Sequence, residues 1–204
     1  MLFRSKKQLA LTEVLYEKGY LNTSSHITNL ANLYLLHGVP YKAAVLLETE
    51  MKDEVVESNE RNLRLLSQAW YVAREDEKAI PPLKRAAELS NDGELYVRLA
   101  QANINLEQWS DAADAVQQAL KLGGIKRTYT ANIMLGMALF NQKRLEQARR
   151  AFMLAAANNR SKRAATQWVA YVDSEIKRRD LLSQDAPTYQ ARERDELENI
   201  IDQN

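Results

Sequence analysis

A small residue recurs along this chain at nearly constant intervals: Ala10, Ala43, Ala79, Ala112 and Ala148, separated by 33, 36, 33 and 36 residues. Four residues after each stands an apolar side chain (Val14, Leu47, Leu83, Val116, Phe152), and three further on come Ala86, Ala119 and Ala155 in the last three copies. Such spacing puts the positions on one face of an α-helix, so the pattern predicts one amphipathic helix repeated five times. A second helix precedes four of these. Its stripe reads Ile27, Leu30, Ala31, Tyr34; Leu63, Leu66, Ser67, Trp70; Tyr96, Leu99, Ala100, Asn103; and Asn132, Leu135, Gly136, Leu139. The i, i+3, i+4, i+7 spacing buries one helical face, and the small residue at the third place admits a close partner helix.

Units of two helices and about 34 residues are the tetratricopeptide signature, and this chain resembles that family from residue 6 to about residue 183. The resemblance implies an all-α, right-handed solenoid of helix-turn-helix repeats closed by a C-terminal capping helix. Asn103 and Asn132 depart from it, standing where an aromatic residue is usual, and local packing is expected to differ there. Composition agrees with helix: 6 Gly and 4 Pro in 204 residues are too few for a fold of many tight turns. The expected divisions are the second helix of a lone half-repeat (1–22), repeats at 23–58, 59–91, 92–127 and 128–160, a cap at 161–183 and a polar, acidic tail at 184–204.

Breaks in the pattern carry their own expectations. Gly38 and Val39 end a helix before Pro40, whose missing N–H suits a first helical turn. Asp76 and Ser110 are expected to cap their helices. Pro81 and Pro82 lie about five residues into a helix, where each removes a backbone hydrogen bond, and a local distortion is expected. Residues 6–18 form a second helix whose first helix is expected upstream, so the sequence reads as the C-terminal part of a longer protein. Without that helix Leu9, Leu11 or Leu15 is left uncovered, and the end is expected to self-associate or fray, with Leu2 and Phe3 folding back as partial cover. Trp168, Tyr171, Val172 and Ile176 give the cap one apolar face, and in the tail Leu197, Ile200 and Ile201 would face inward if a short helix docks.

Catalytic and metal chemistry find little support. The chain has no Cys and 2 His, which removes disulfide frameworks, thiol nucleophiles and zinc ribbons. His26 and His37 have no third ligand at a metal spacing. Leu122, Gly123, Gly124, Ile125 and Lys126 lack the spacing of a phosphate-binding loop. Acidic clusters at Asp53–Glu54 and Glu75–Glu77 fall between helices and read as solvated turns. With no nucleophile beside a base, no enzyme, cofactor or metal is expected. The apolar runs Ala43–Leu47 and Ile133–Phe140 are far below the ~20 residues of a membrane span, and the first twenty residues are too charged for a signal peptide.

What remains is surface. The first helices of tetratricopeptide repeats line a concave face, and the register places Thr28, Asn32, Arg64, Gln68, Tyr71, Gln101, Ile133, Met137 and Phe140 there as a candidate peptide-binding groove. Val97, Leu35, Ile104, Val169 and Asp173 extend it. Its first half offers amide, guanidinium and phenol groups, its second half apolar anchors. Some tetratricopeptide domains grip a C-terminal carboxylate with Lys, Asn and Arg; of those five places this chain matches two, Asn32 and Arg98, with Thr28, Leu65 and Glu94 at the others, so that clamp is not expected.

Charge is polarised beneath a net +1. Residues 44–115 hold fifteen acidic and eight basic residues, residues 125–179 three acidic and twelve basic, and the tail from 180 carries −5. Lys143, Arg144, Arg149, Arg150, Lys162 and Arg163 therefore offer an alternative reading, contact with nucleic acid or anionic lipid. Aromatic side chains are not interleaved with them, and protein contact is the preferred reading.

Four stretches are more specific than repeat consensus: QLALTEVLYEKGYL from Gln8, NLANLYLLHGVPYKAAVLLE from Asn29, NLRLLSQAWYVAREDEKAIPPLKRAAELS from Asn62 and QWVAYVDSEIKRRDLL from Gln167. They resemble the C-terminal repeats of the tetratricopeptide proteins encoded with TonB systems in γ-proteobacteria. That resemblance implies a periplasmic, non-enzymatic accessory of the TonB energy-transducing complex, serving iron-siderophore or haem uptake, with TonB complex components as partners.

Overall fold

A computed structural model describes the backbone of residues 2–201 and the side chains of residues 6–184. Among these there are helices and turns and no strand. The chain divides into two compact units, Met1–Lys126 and Arg127–Asn204. The first holds α1 (Leu2–Glu17), α2 (Ser24–Leu36), α3 (Pro40–Lys52), α4 (Glu60–Val72), α5 (Asp76–Ser90), α6 (Gly93–Asn105) and α7 (Trp109–Leu122). The second holds α8 (Thr128–Asn141), α9 (Leu145–Ala156) and α10 (Lys162–Ile201).

Helices pair as α2/α3, α4/α5 and α6/α7 in the first unit and as α8/α9 in the second, with α10 against α9. Burial follows the stripes read from the sequence. Ile27, Leu30 and Ala31 are fully buried, as are Ala43, Leu47, Ala112, Val116, Ala148 and Phe152. The small third place does what its size allows. In α4 the Ser67 hydroxyl donates to the Ala79 carbonyl at 2.9 Å, which satisfies a buried polar group inside the helix pair. The two asparagines of the stripes are buried as well. Asn132 donates to the Thr128 carbonyl at 3.1 Å, whereas Asn103 Oδ1 has no partner among the described residues.

The first-to-second helix turns are one device used four times. Gly38, Arg74, Glu107 and Lys143 all have left-handed backbones, with φ of 72°, 63°, 56° and 61°. In each, the next residue's N–H reaches back to the carbonyl five residues before it: Val39 to Tyr34, Glu75 to Trp70, Gln108 to Asn103 and Arg144 to Leu139, at 2.8–3.0 Å. This is the Schellman closure of a helix C-terminus, and it delivers the chain straight into the following helix.

That turn corrects two expectations. Asp76 and Ser110 are not caps: α5 starts at Asp76 after Glu75, α7 starts at Trp109 after Gln108, and neither preceding residue makes a side-chain cap bond. The turn is closed by main-chain bonds, so no capping side chain is required. Side-chain caps appear instead where a new repeat begins, at Thr23, Asn59 and Asp92. Pro40 opens α3 as expected. Pro81 and Pro82 lie inside α5, which runs unbroken through both.

The first copy of the register departs from the others. Ala10 is exposed and Val14 is 51% exposed, whereas the matching alanines of α3, α5, α7 and α9 are at most 2% exposed. Among the described residues no first-type helix covers Ala10 and Val14, and these positions face outward. Leu11 is 62% exposed, while Leu9 packs on the core. Instead α1 is tied down by polar bonds: Glu13 accepts from the Tyr34 hydroxyl at 2.9 Å and from Lys42 Nζ at 3.0 Å, and the Tyr16 hydroxyl donates to Glu50 at 2.7 Å. Leu2 and Phe3 continue α1 as helix where a chain folding back was expected. Likewise α10 runs past the expected cap boundary at 183; the side chains of the tail, Leu197, Ile200 and Ile201 included, lie outside the described residues.

Candidate peptide-binding groove

Two adjoining hollows lie on the first unit. The larger, of about 350 Å³, is bounded by Arg64, Ser67, Gln68 and Tyr71 of α4, Ala79 and Leu83 of α5, and Leu95, Arg98, Gln101 and Ala102 of α6. The smaller, of about 210 Å³, is bounded by Thr28 and Asn32 of α2 and by Arg61, Asn62, Arg64, Leu65 and Gln68 of α4. Arg64 and Gln68 belong to both, so the hollows form one strip across α2, α4 and α6. Its floor is apolar, with Ala79, Leu83, Leu95 and Ala102 all buried. Its rim is polar, and Tyr71 is half exposed there.

Six of the nine residues expected in the groove, Thr28, Asn32, Arg64, Gln68, Tyr71 and Gln101, meet along this strip. Helical periodicity puts them there, because residues three, four and seven apart on α4 share one face. Several are held by local bonds. Asn32 donates to the Thr28 carbonyl at 2.7 Å, Gln101 to Asn105 Oδ1 at 2.9 Å, and Arg64 to Glu60 at 2.8 Å. Arg61 and Arg98 form no ion pair with a described residue. Concave-face counting omitted the buried floor, since Ala79 and Leu83 belong to the second-type helix α5. Those two positions are legible as core, and only the packing of α5 between α4 and α6 opens them to the hollow.

Ile133, Met137 and Phe140 belong to the second unit. All three are partly buried on α8. Phe140 meets Tyr171 at 5.3 Å and Trp168 at 6.0 Å between ring centroids, and Trp168 stacks on Phe152 at 5.1 Å. Tyr171 is 50% exposed, so one side of this aromatic group is open. The sequence placed Trp168 and Tyr171 only in the packing face of the cap; their contact with Phe140 depends on how α10 lies on its unit.

The basic residues of the second unit are partly engaged. Arg149 pairs with Asp173 at 2.5 Å, and Arg179 bridges Glu146 and Asp180, each at 2.8 Å. These partners hold both guanidinium groups more firmly protonated. Lys143 Nζ lies 6.0 Å from the Phe140 ring centroid, and Lys162 and Arg163 are exposed at the start of α10. Among the described residues no three His, Asp or Glu are grouped as metal ligands, and no helix is long and apolar enough to cross a membrane.

No family model and no curated protein sequence matches the chain. Solved structures do. A structure of YrrB, "a TPR protein with an unusual peptide-binding site", aligns with a TM-score of 0.63 at 19% identity, over 82% of this chain and 84% of that one. The C-terminal part of a TPR repeat-containing protein from Cytophaga hutchinsonii aligns with a TM-score of 0.63 at 14% identity, over 85% and 67%. MamA from Desulfovibrio magneticus gives 0.60 at 15% identity, over 76% and 85%. At such identities the likeness speaks for architecture, and the architecture is the all-α solenoid of tetratricopeptide-repeat proteins.

Proposed function

We propose that this protein is a non-enzymatic protein-binding scaffold whose strip across α2, α4 and α6 takes a peptide segment of a partner. The observation that carries the reading is the strip itself: an apolar floor under a polar rim, assembled on packed helices before any partner arrives. A preformed surface loses little to receptor ordering on binding. The peptide-binding site named for YrrB supports the same reading for a chain of the same fold.

The finer proposal follows the sequence resemblance: the partner belongs to a periplasmic TonB assembly, and the role is accessory to iron-siderophore or haem uptake. Contact with nucleic acid or lipid through the basic residues of the second unit is the less favoured reading, because Arg149 already carries an acidic partner. The deciding experiment is a pull-down of the periplasmic parts of the TonB complex with this chain. Retention that is lost in Arg64→Ala combined with Tyr71→Ala supports the proposal. No retention of any TonB component removes the TonB assignment.

A further inference from the structure

Charge is sorted around the strip in a way that its surroundings do not share. Residues 44–115 carry nearly two acidic residues for each basic one. Yet the residues bounding the two hollows include Arg61, Arg64 and Arg98 and not a single Asp or Glu. Three of the eight cations of an acidic segment thus converge on one groove, and none of the segment's fifteen acids is among the bounding residues. Glu60, outside the bounding set, is bonded to Arg64 one helical turn away; both side chains are a third or more exposed. An exposed i,i+4 pair of this kind contributes little to stability and yields readily to a better acceptor.

Guanidinium groups present planar donor forks that match carboxylates. An isolated cation would say little. Here the cations stand on two successive first-type helices, with a buried apolar floor at Leu83 and Leu95 beside Arg98. A lone terminal carboxylate could occupy one fork, but it would leave the others and the floor unused. The spread of donors calls for several carboxylates along an extended chain, with an apolar side chain between them.

Resting on the groove reading above, we infer that the strip selects an acidic peptide, with Asp or Glu side chains meeting Arg64 and Arg98 and one bulky apolar side chain seated over Leu83 and Leu95. The acidic excess of the segment sharpens the choice: a basic peptide meets Arg61, Arg64 and Arg98 in the groove and is repelled there.

The test is selection of a phage-displayed library of random dodecapeptides on the whole chain. Enriched sequences are then synthesised with amidated C-termini and titrated by fluorescence anisotropy. The expected result is enrichment of Asp and Glu interspersed with Leu, Met or Phe. Replacing the acids by Asn and Gln weakens binding about tenfold, the loss expected for a charge-assisted bond, and Arg98→Gln does the same while its circular dichroism melt is unchanged. Binding also weakens from 0.05 to 0.5 M NaCl. Three results overturn the inference. Neutral or basic peptides that bind the groove and are displaced by no acidic one would leave the groove reading standing and remove the acidic preference. Binding that needs a free C-terminal carboxylate would replace side-chain recognition by terminal capture. No peptide retained at all would remove both readings.

Discussion

Gly136 and Phe152 are in closer register than any other side chain than glycine would permit: a Cβ built on Gly136 falls 2.6–2.7 Å from three carbons of the Phe152 ring. The ring is fully buried and itself stacked on Trp168, so it has little room to retreat. Gly136→Ala is expected to destabilise the second unit by roughly 1–3 kcal/mol, the usual cost of overpacking. Thermal denaturation followed by Trp fluorescence measures it, and an unchanged midpoint would mean that α8 and α9 separate at small cost.

The repeated turn yields a prediction of opposite sign. Arg74, Glu107 and Lys143 hold left-handed backbones without being glycine, a conformation costing most side chains ~1–2 kcal/mol. Glycine loses more chain entropy on folding and returns part of that gain. Lys143→Gly and Arg74→Gly are each expected to raise stability by about 0.5–1 kcal/mol, read from urea midpoints at constant slope.

Buried Asn103 should be replaceable. Its side-chain oxygen lacks a partner among the described residues, and an unsatisfied buried polar atom costs ~1–3 kcal/mol. Asn103→Leu, with the same branching and the same number of side-chain heavy atoms though a larger volume, is expected to stabilise the first unit by about 1 kcal/mol where the packing accommodates the added methyl volume. A loss of stability would reveal a water-bonded role for the amide.

Attachment of α1 is expected to depend on pH at both extremes. Lys42 and Tyr34, which both bond to Glu13, hold its carboxyl below the usual value of 4.5. The stabilisation is therefore complete above 4.5 and fades as pH falls through the lowered value. Burial and the Glu50 carboxylate push Tyr16 up to about 12, and burial and Glu13 likewise raise Tyr34. Their contribution is whole below pH 10 and is lost as pH climbs through those raised values. Hydrogen exchange of α1 should accelerate below pH 4.5 and above pH 10 relative to α4 and α6. In Glu13→Gln the acid limb should disappear.

How far the sequence could be read follows from what each feature depends on. Helix pairs were legible because burial repeats every 33 or 36 residues, and Ile27, Leu47, Val116 and Phe152 are buried where that period puts them. Caps at Asp76 and Ser110 were misread, because a preference for side-chain caps was applied to a junction closed by the main chain. The exposure of Ala10 and Val14 was hidden for a related reason: a register tells which face is apolar and not whether a neighbour stands against it. In the groove, Arg64, Gln68 and Tyr71 were legible from the helical period alone, whereas the floor at Leu83 and Leu95 required knowing how three helices meet.

Because the same main-chain bonds close the four turns at Gly38, Arg74, Glu107 and Lys143, the turn shape does not depend on which side chain stands there. Three of the four positions carry unrelated chemistry, a guanidinium, a carboxylate and an ammonium, in one backbone shape. They are consequently sites for attaching reporters: a cysteine introduced at Glu107 or Lys143 in this cysteine-free chain would carry a single dye on a defined backbone.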